Sequence, residues 1–322
     1  MLAHLLRGVL GAGGEVVEGV RVLGVDDRLP GAVHTERGPV VAGQVVLATG
    51  TPVLDRGLHF ARLEPGRSYG SAYRVPGELP AGMYLSADIP TRSLRTLPAP
   101  GGELLVVGGN GHPVGRPDQR GRSPRDLVDE LDAWTREHFP GAERTHRWSA
   151  QDYRTPDGIP FVGPVTGFQE KVLVATGYDK WGMTNGAAAA LALAGRILGE
   201  PPEWADLLAG RGAGLARARQ VASFNARVAA RLVGGLVGAG LRSDGDGPPE
   251  GRGEVRHDGL RPVAVSTVDG VTRSVSGVCT HLGGVVSWND AECTWDCPLH
   301  GSRFAPDGSV LEGPANRDLE AR

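Results

Sequence analysis

At 322 residues the chain is long enough for two or three domains and a substantial buried core. Lys and Arg number 34 against 37 Asp and Glu, a formal net charge of −3, which excludes the basic footprint of a nucleic-acid or anionic-membrane binder. Three cysteines cannot all pair, and all lie in one C-terminal stretch, so a ligand cluster in a reducing compartment is expected rather than a disulfide framework.

The opening MLAHLLRGVLGAGGEV lacks the apolar length and cleavage pattern of a secretory signal. Its HLLRGVL reads as the end of a helix stopped by GAGG. EVVEGVRVLGVDD then alternates like a strand, GAVHTERGPVVAG reads as a hairpin, and QVVLATGTP as a fully buried strand ending in a turn. From about Asp55 to Gly115, short apolar runs punctuated by Pro and Gly predict an antiparallel sheet. SPRDLVDELDAWTREHFPG is the clearest helix. Ser123 is its N-cap, Pro124 suits the first helical position, and Leu127, Leu131 and Trp134 share a face. DGIPFVGP, the strand KVLVATG and the alanine-rich helix NGAAAALALAGRILG follow. Residues from Glu200 to Gly240 read as a helical connector and RSDGDGPPEGRG as a linker. The weakly polar VAARLVGGLVGAGL inside that connector is interrupted by Arg231 and falls short of the roughly 18 apolar residues of a spanning helix. The chain is therefore expected to be cytoplasmic, with no membrane or nucleic-acid partner. Short strands and glycine turns after Glu254 announce a small separate β domain.

That domain carries CTHLGG and CPLHGSRF. Cys279 and His281 lie in one loop and Cys297 and His300 in the other, with fifteen residues between the pairs. Each loop thus offers one thiolate and one imidazole, the ligand count of a [2Fe–2S] cluster with two Cys on one iron and two His on the other. A zinc finger is the competing use of such residues, but it pairs Cys with Cys and places its His pair on a helix. Here Gly283, Gly284 and Gly301 follow the histidines, which a regular helix would not tolerate.

CTHLGG and CPLHGSRF resemble the Rieske family over about the last seventy residues. The resemblance implies an antiparallel β domain with the cluster at one tip, a covering third loop at Pro314, and His281 and His300 facing solvent where electrons enter and leave. Many members add a disulfide between the two loops. Gly284 and Leu299 stand at those positions here, so the loops are expected to be held by packing, with Cys293 left over as an incidental thiol. Ser302 matches a hydroxyl that donates to a bridging sulfide, while Phe304 replaces a tyrosine of high-potential members. One donor kept and one lost implies the middle of a span of about −150 to +300 mV.

The first 200 residues resemble FAD-dependent oxidoreductases of the D-amino-acid oxidase type, through GEVVEGVRVLGVDD…QVVLATG, DYRTPDGIPFVGP and VLVATGYDKWGMTNGAAAALALAGRIL. The resemblance implies FAD, with Gly50, Gly158, Gly177, Lys180, Trp181, Gly182 and Met183 at or near the flavin, and a helix starting near Asn185 that points its positive end at it. The strand–GxGxxG–helix unit that opens such proteins is missing. GAGGEV follows a helix and leads into a strand, the wrong order. The implied fold class is α+β and multidomain. A partial FAD-binding α/β domain (1–54 and 149–200) surrounds an antiparallel β substrate region (55–148), and a connector (201–252) leads to an all-β Rieske domain (253–322).

Arg67, Tyr69, Tyr73, Arg74, Arg92 and Arg95 could supply an arginine–tyrosine pair for an amino-acid carboxylate, or be ordinary strand residues. Asp152 and Asp157 are expected to hold loops, and His112 and His146 lack sequence partners. No catalytic acid, base or nucleophile is singled out, and no GxSxG, Walker or HExxH motif is present. The expected function is electron transfer by a Rieske [2Fe–2S] cluster coupled to an FAD-dependent dehydrogenase of the amine or amino-acid type. It would take a small amine or amino-acid-like substrate and a protein electron acceptor or donor. The alternative is a Rieske electron carrier with a non-catalytic, FAD-free N-terminal remnant.

Overall fold

The computed structural model describes residues 1–26, 31–54, 56–166, 169–209, 247–259 and 261–322. Most of the expected connector, and the first part of the linker, lie outside them. Among the described residues no helix is long and apolar enough to cross a membrane.

The chain opens with α1 (Leu2–Gly11), which buries none of its residues. A meander of β1 (Val22–Val25), β2 (Gly31–Thr35) and β3 (Gly38–Ala42) follows. The strand expected from Glu15 starts only at Val22, because Gly19 sits at φ 64 and breaks the extended run. Next come β4 (Val45–Leu47), β5 (Glu64–Arg74), β6 (Tyr84–Leu85), β7 (Arg92–Ala99) and β8 (Gly102–Pro113). The helix α2 (Pro124–His138) then leads to β9 (Glu143–Arg154), β10 (Phe161–Thr166), β11 (Gln169–Thr176) and α3 (Gly182–Leu198).

The scaffold of the N-terminal part is an antiparallel sheet in the order β6-β7-β8-β5-β9. Its helix α2 starts where the sequence places it. Ser123 Oγ accepts from the Asp126 N–H and the Asp126 carboxylate accepts from the Ser123 N–H, a reciprocal cap. Leu127, Val128 and Leu131 of α2 bury against Tyr69, Tyr73, Leu105 and Val107 of the sheet.

A second sheet runs β10-β11-β4, with β11 antiparallel to β10 and parallel to β4. The helix α3 covers it, packing Ala189, Ala192 and Leu193 on Val162, Leu173 and Ala175. β11 is buried as its apolar run requires. β4 is not fully buried: it forms the edge of this sheet, and Val46 is 41% exposed.

The C-terminal domain stacks β12 (Gly253–Asp258), β13 (Arg261–Val268) and β14 (Val271–Ser276) in one sheet. A second sheet holds β15 (Ser287–Asn289), β16 (Thr294–Asp296), β17 (Arg303–Phe304) and β18 (Val310–Glu312). Trp295 and Phe304, both fully buried, centre its core.

Candidate metal centre and the turn before α3

The four predicted ligands come from the loop between β14 and β15 and the loop between β16 and β17, and one turn is used twice. In the first, the Cys279 carbonyl accepts from the Gly283 N–H and the Cys279 N–H donates to the Gly284 carbonyl. In the second, Cys297 makes the same pair of bonds with Gly301 and Ser302. Gly283 and Gly301 occupy the left-handed region at φ 76 and 83, which closes both turns and is open to glycine without strain.

The turns bring sulfur beside sulfur and ring beside ring. The Cys297 thiol hydrogen-bonds Cys279, and the imidazoles of His281 and His300 stand edge to face with centroids 5.0 Å apart. Among the described residues no three His, Cys, Asp or Glu side chains converge as ligands of a single ion. Donors surround the sulfurs. Cys279 receives the Cys297 thiol, the N–H groups of His281 and Leu282 and the Ser302 hydroxyl, which together bring its pKa down to about 7 against the opposing effect of burial. Cys297 is pushed up by that shared proton and by burial, while the N–H groups of Leu299 and His300 pull the other way. Ser302 Oγ also accepts from the Ala315 N–H, which ties the third loop over the tip. Paired sulfurs ringed by donors fit thiolates on iron, whose charge such donors stabilise.

Gly284 and Leu299 hold the two loops together. A Cβ at Gly284 would lie 2.6 Å from Leu299 Cδ1 and 3.0 Å from Cys297 Sγ, so the leucine occupies the space between the loops. The expectation that packing holds them is met. Cys293 is a free, partly buried thiol in the β15–β16 turn.

His300 does not face open solvent as expected, and His281 does so only in part. His300 is 4% exposed, and the Phe60 ring stands edge-on to both, 5.0 Å from His300 and 5.3 Å from His281. The cause is that the C-terminal domain lies against the large sheet. Along β9 every second residue reaches it. Arg147 donates to the Ala291 carbonyl at 3.1 Å and Ser149 to Glu292 at 2.8 Å. Gln151 donates to the Gly301 carbonyl at 2.8 Å and Tyr153 to the Gly313 carbonyl at 3.4 Å. The contact is close at backbone level: a Cβ at Gly115 would meet Pro298 N at 2.8 Å, and one at Gly301 would meet Pro65 Cβ at 2.7 Å.

Arg67 lies beneath this contact, fully buried. Its guanidinium donates to Ser149 Oγ at 2.8 Å and Gln151 Oε1 at 2.6 Å, and faces Glu292 at 3.4 Å and Asp296 at 3.6 Å. Arg67 is therefore a domain pin and not a substrate ligand. Tyr69 is buried on the same face with its hydroxyl on His112 Nε2, and Tyr73 is buried beneath α2. Arg92 is held by Asn110 and Glu130, and Arg74 caps the Pro100 and Gly101 carbonyls. These residues form no exposed arginine–tyrosine pair. Arg95 is exposed on β7.

Even-numbered residues of β9 point the other way. Asp152 pairs there with Lys180 of the turn before α3, and burial raises the Asp152 pKa against the pull of that cation. Asp179 and Lys180 both adopt positive φ, 43 and 69, a rare conformation for consecutive non-glycine residues. α3 starts at Gly182, earlier than expected, with Trp181 as its N-cap residue. Trp181 and Met183 are each 63% exposed, and a Cβ at Gly182 would meet only Tyr178, at 3.9 Å. An exposed apolar surface at a helix N-terminus suits a flat, electron-rich ring. Gly50, at φ 76, lies beneath the Tyr153 ring, and Gly158, at φ 72, is in open space. Gly177 is glycine for packing, since its Cβ would strike Thr155 at 2.5 Å.

Phe60, Gln151, Tyr153 and the pinning role of Arg67 were not readable in the sequence. Only the odd–even pattern of β9 could have hinted at two functional faces.

Residues 1–196 match the family model DAO, FAD dependent oxidoreductase, and residues 247–321 match that of the Rieske [2Fe-2S] domain. The chain is 34% identical, over 99% of its length, to YhfW of Bacillus subtilis (strain 168), named as a Rieske 2Fe-2S iron-sulfur protein, and spans 62% of that relative. Over 46 residues, 14% of this chain and 27% of the relative, it is 54% identical to the cytochrome b6-f complex iron-sulfur subunit of Synechococcus sp. (strain JA-3-3Ab). Glycine oxidase from Geobacillus kaustophilus shares the fold at a TM-score of 0.51 and 21% identity, over 66% of this chain and 57% of that one. NikD, an unusual amino acid oxidase essential for nikkomycin biosynthesis, does so at 0.52 and 20%, over 66% and 60%. The first match indicates FAD and the second a [2Fe–2S] cluster. The chain belongs to the DAO family of FAD-dependent oxidoreductases and carries a Rieske [2Fe–2S] domain at its C-terminal side.

Proposed function

We propose that the chain couples an FAD-dependent dehydrogenase of the amine or amino-acid type to one-electron transfer through its Rieske cluster, in the cytoplasm. Cys279 and Cys297 hold one iron and His281 and His300 the other. FAD, when bound, would supply two-electron chemistry at a substrate C–H bond, and a [2Fe–2S] cluster would supply one-electron transfer toward a protein acceptor. Lys180, Trp181, Gly182 and Met183 would meet the ring, Gly50 would abut it, and Gly158 and Gly177 would shape the loops that frame it.

The observation that carries this reading is the alternation of β9. Gln151 and Tyr153 touch the cluster loops, and Asp152 between them holds Lys180 of the flavin-side turn. The two candidate sites are thus separated by one strand of a packed sheet. This chain's residues supply the rest. Lys180 and Asp152 fix the turn, Ser302 and the turn N–H groups stabilise charge on sulfur, and Arg67 keeps the domains in register.

The second reading is a Rieske electron carrier whose N-terminal part binds no FAD. The exposed edge of β4 and the unburied α1 favour it, since both leave apolar surface without cover.

The visible spectrum of the anaerobically purified chain separates the two. Rieske absorption with resolved flavin bands, and cluster bleaching on anaerobic addition of amines or amino acids, is the expected result. Rieske absorption alone selects the carrier, and absence of Rieske absorption removes both readings.

A further inference from the structure

Phe60 is held in place more firmly than its short 3-10 segment, Arg56–Arg62, would suggest. Before it, Gly57 at φ 76 has no room for a side chain, since a Cβ would lie 2.2 Å from the Val165 carbonyl oxygen. His59, 4% exposed, hydrogen-bonds that same carbonyl through Nε2 at 3.2 Å and packs edge-on to Phe161 at 5.4 Å. After it, Leu63 is buried beside Gly177. Phe60 is therefore clamped between two buried anchors on the N-terminal module, and its ring projects across to the tip of the other domain. There it completes a triad of rings with His281 and His300, each pair edge to face with centroids 5.0 to 5.3 Å apart. Edge-to-face packing at such distances is a favourable, orienting contact.

An apolar ring at this place has two consequences. It occupies the approach to the junction of the two imidazoles, where another protein would have to bring its own redox centre. It also belongs to the module that carries Gly50 and the turn before α3. We propose that Phe60 is a positioning residue that directs the histidine edge of the cluster inward, so that this edge exchanges electrons with the flavin side of its own chain, while a protein acceptor is kept from it and must draw on the cluster from another side of the domain. The inference rests on the reading of a Rieske cluster at Cys279, His281, Cys297 and His300.

The test is a bimolecular oxidation that needs no flavin. The purified chain, with Rieske absorption verified, is reduced by dithionite, freed of excess reductant and mixed anaerobically with ferric cytochrome c. In the step followed, read at the Rieske absorption, the cluster loses one electron and the haem iron goes from ferric to ferrous. For Phe60→Ala the second-order rate is expected to rise about tenfold, a change of the size that opening a docking patch gives, while the EPR g-values of the reduced cluster stay as in the parent. Phe60→Val is expected to fall between. Rates equal within twofold for all three chains, with intact g-values, would overturn the proposal. If Phe60→Ala does not hold its cluster, Phe60→Val against the parent decides by the same criterion. A parent chain without Rieske absorption defeats the cluster reading itself, a distinguishable failure.

Discussion

Leu299 stands where a side chain at position 284 would otherwise reach, and the pair behaves as one unit of packing at the cluster tip. Gly284→Ala introduces a methyl 2.6 Å from Leu299 Cδ1, an overpacking that should cost about 1–3 kcal/mol. Leu299→Ala empties a buried site and should cost about 2–5 kcal/mol. In the double variant the new methyl fills part of the vacated space, so the two losses are expected to fall short of their sum by about 1 kcal/mol. Denaturant unfolding of the four chains in the cycle measures this, and strict additivity would mean that the two residues do not share the space. The coupling was partly legible from sequence, because both positions depart together from the family's cysteines. That Cys279, His281, Cys297 and His300 would meet at one tip was legible, since Cys and His at fixed spacing with glycine behind them leave few alternatives. Phe60 was not: one aromatic residue in a loop carries no pattern, and its partners lie more than two hundred residues away.

β9 is the element that joins the two halves, because a strand presents successive side chains to opposite faces. Its outward row meets Ala291, Glu292, Gly301 and Gly313, and Arg67 of the neighbouring β5 completes the seam. Removing the guanidinium in Arg67→Ala leaves Glu292 and Asp296 with the partly buried Arg303 as their remaining cation. The expected loss of stability is about 3 kcal/mol, at the low end for breaking a buried ion pair because one cation stays. Arg67→Lys should recover only part, because an ammonium cannot reproduce the fork that reaches Ser149, Gln151 and the acids together. Unfolding midpoints of the three chains test this, and full recovery by lysine would mean that charge alone sets the seam. In sequence RSYGSAYR announces a strand and nothing more. Alternation could say that Arg67, Tyr69 and Tyr73 share a face, but not that another domain covers it.

At the scale of the whole molecule the apolar surface is unevenly distributed. β11 is buried by β10, β4 and α3, whereas among the described residues nothing pairs with the outer edge of β4, Val46 is in the open, and α1 exposes Leu2, Leu5, Leu6, Val9 and Leu10. An unpaired edge is a template for further pairing, and exposed leucines and valines add apolar surface to it. The chain is therefore expected to self-associate as its concentration rises, and Val46→Lys, which places a charge on that edge, should lower the association seen by light scattering. An unchanged profile would locate the association elsewhere. Sequence exaggerated the burial of this strand, because QVVLATG reads the same whether one neighbour or two are present.

The leucine-for-cystine exchange at the cluster tip also sets the conditions in which the centre can persist. A tip joined by a covalent bridge is only as durable as that bridge, and strong dithiols or a glutathione-rich milieu can open it. Here the two loops are joined by hydrocarbon against backbone, which no thiol can exchange. The joint between the two loops is thus uncoupled from the thiol–disulfide balance of the surroundings.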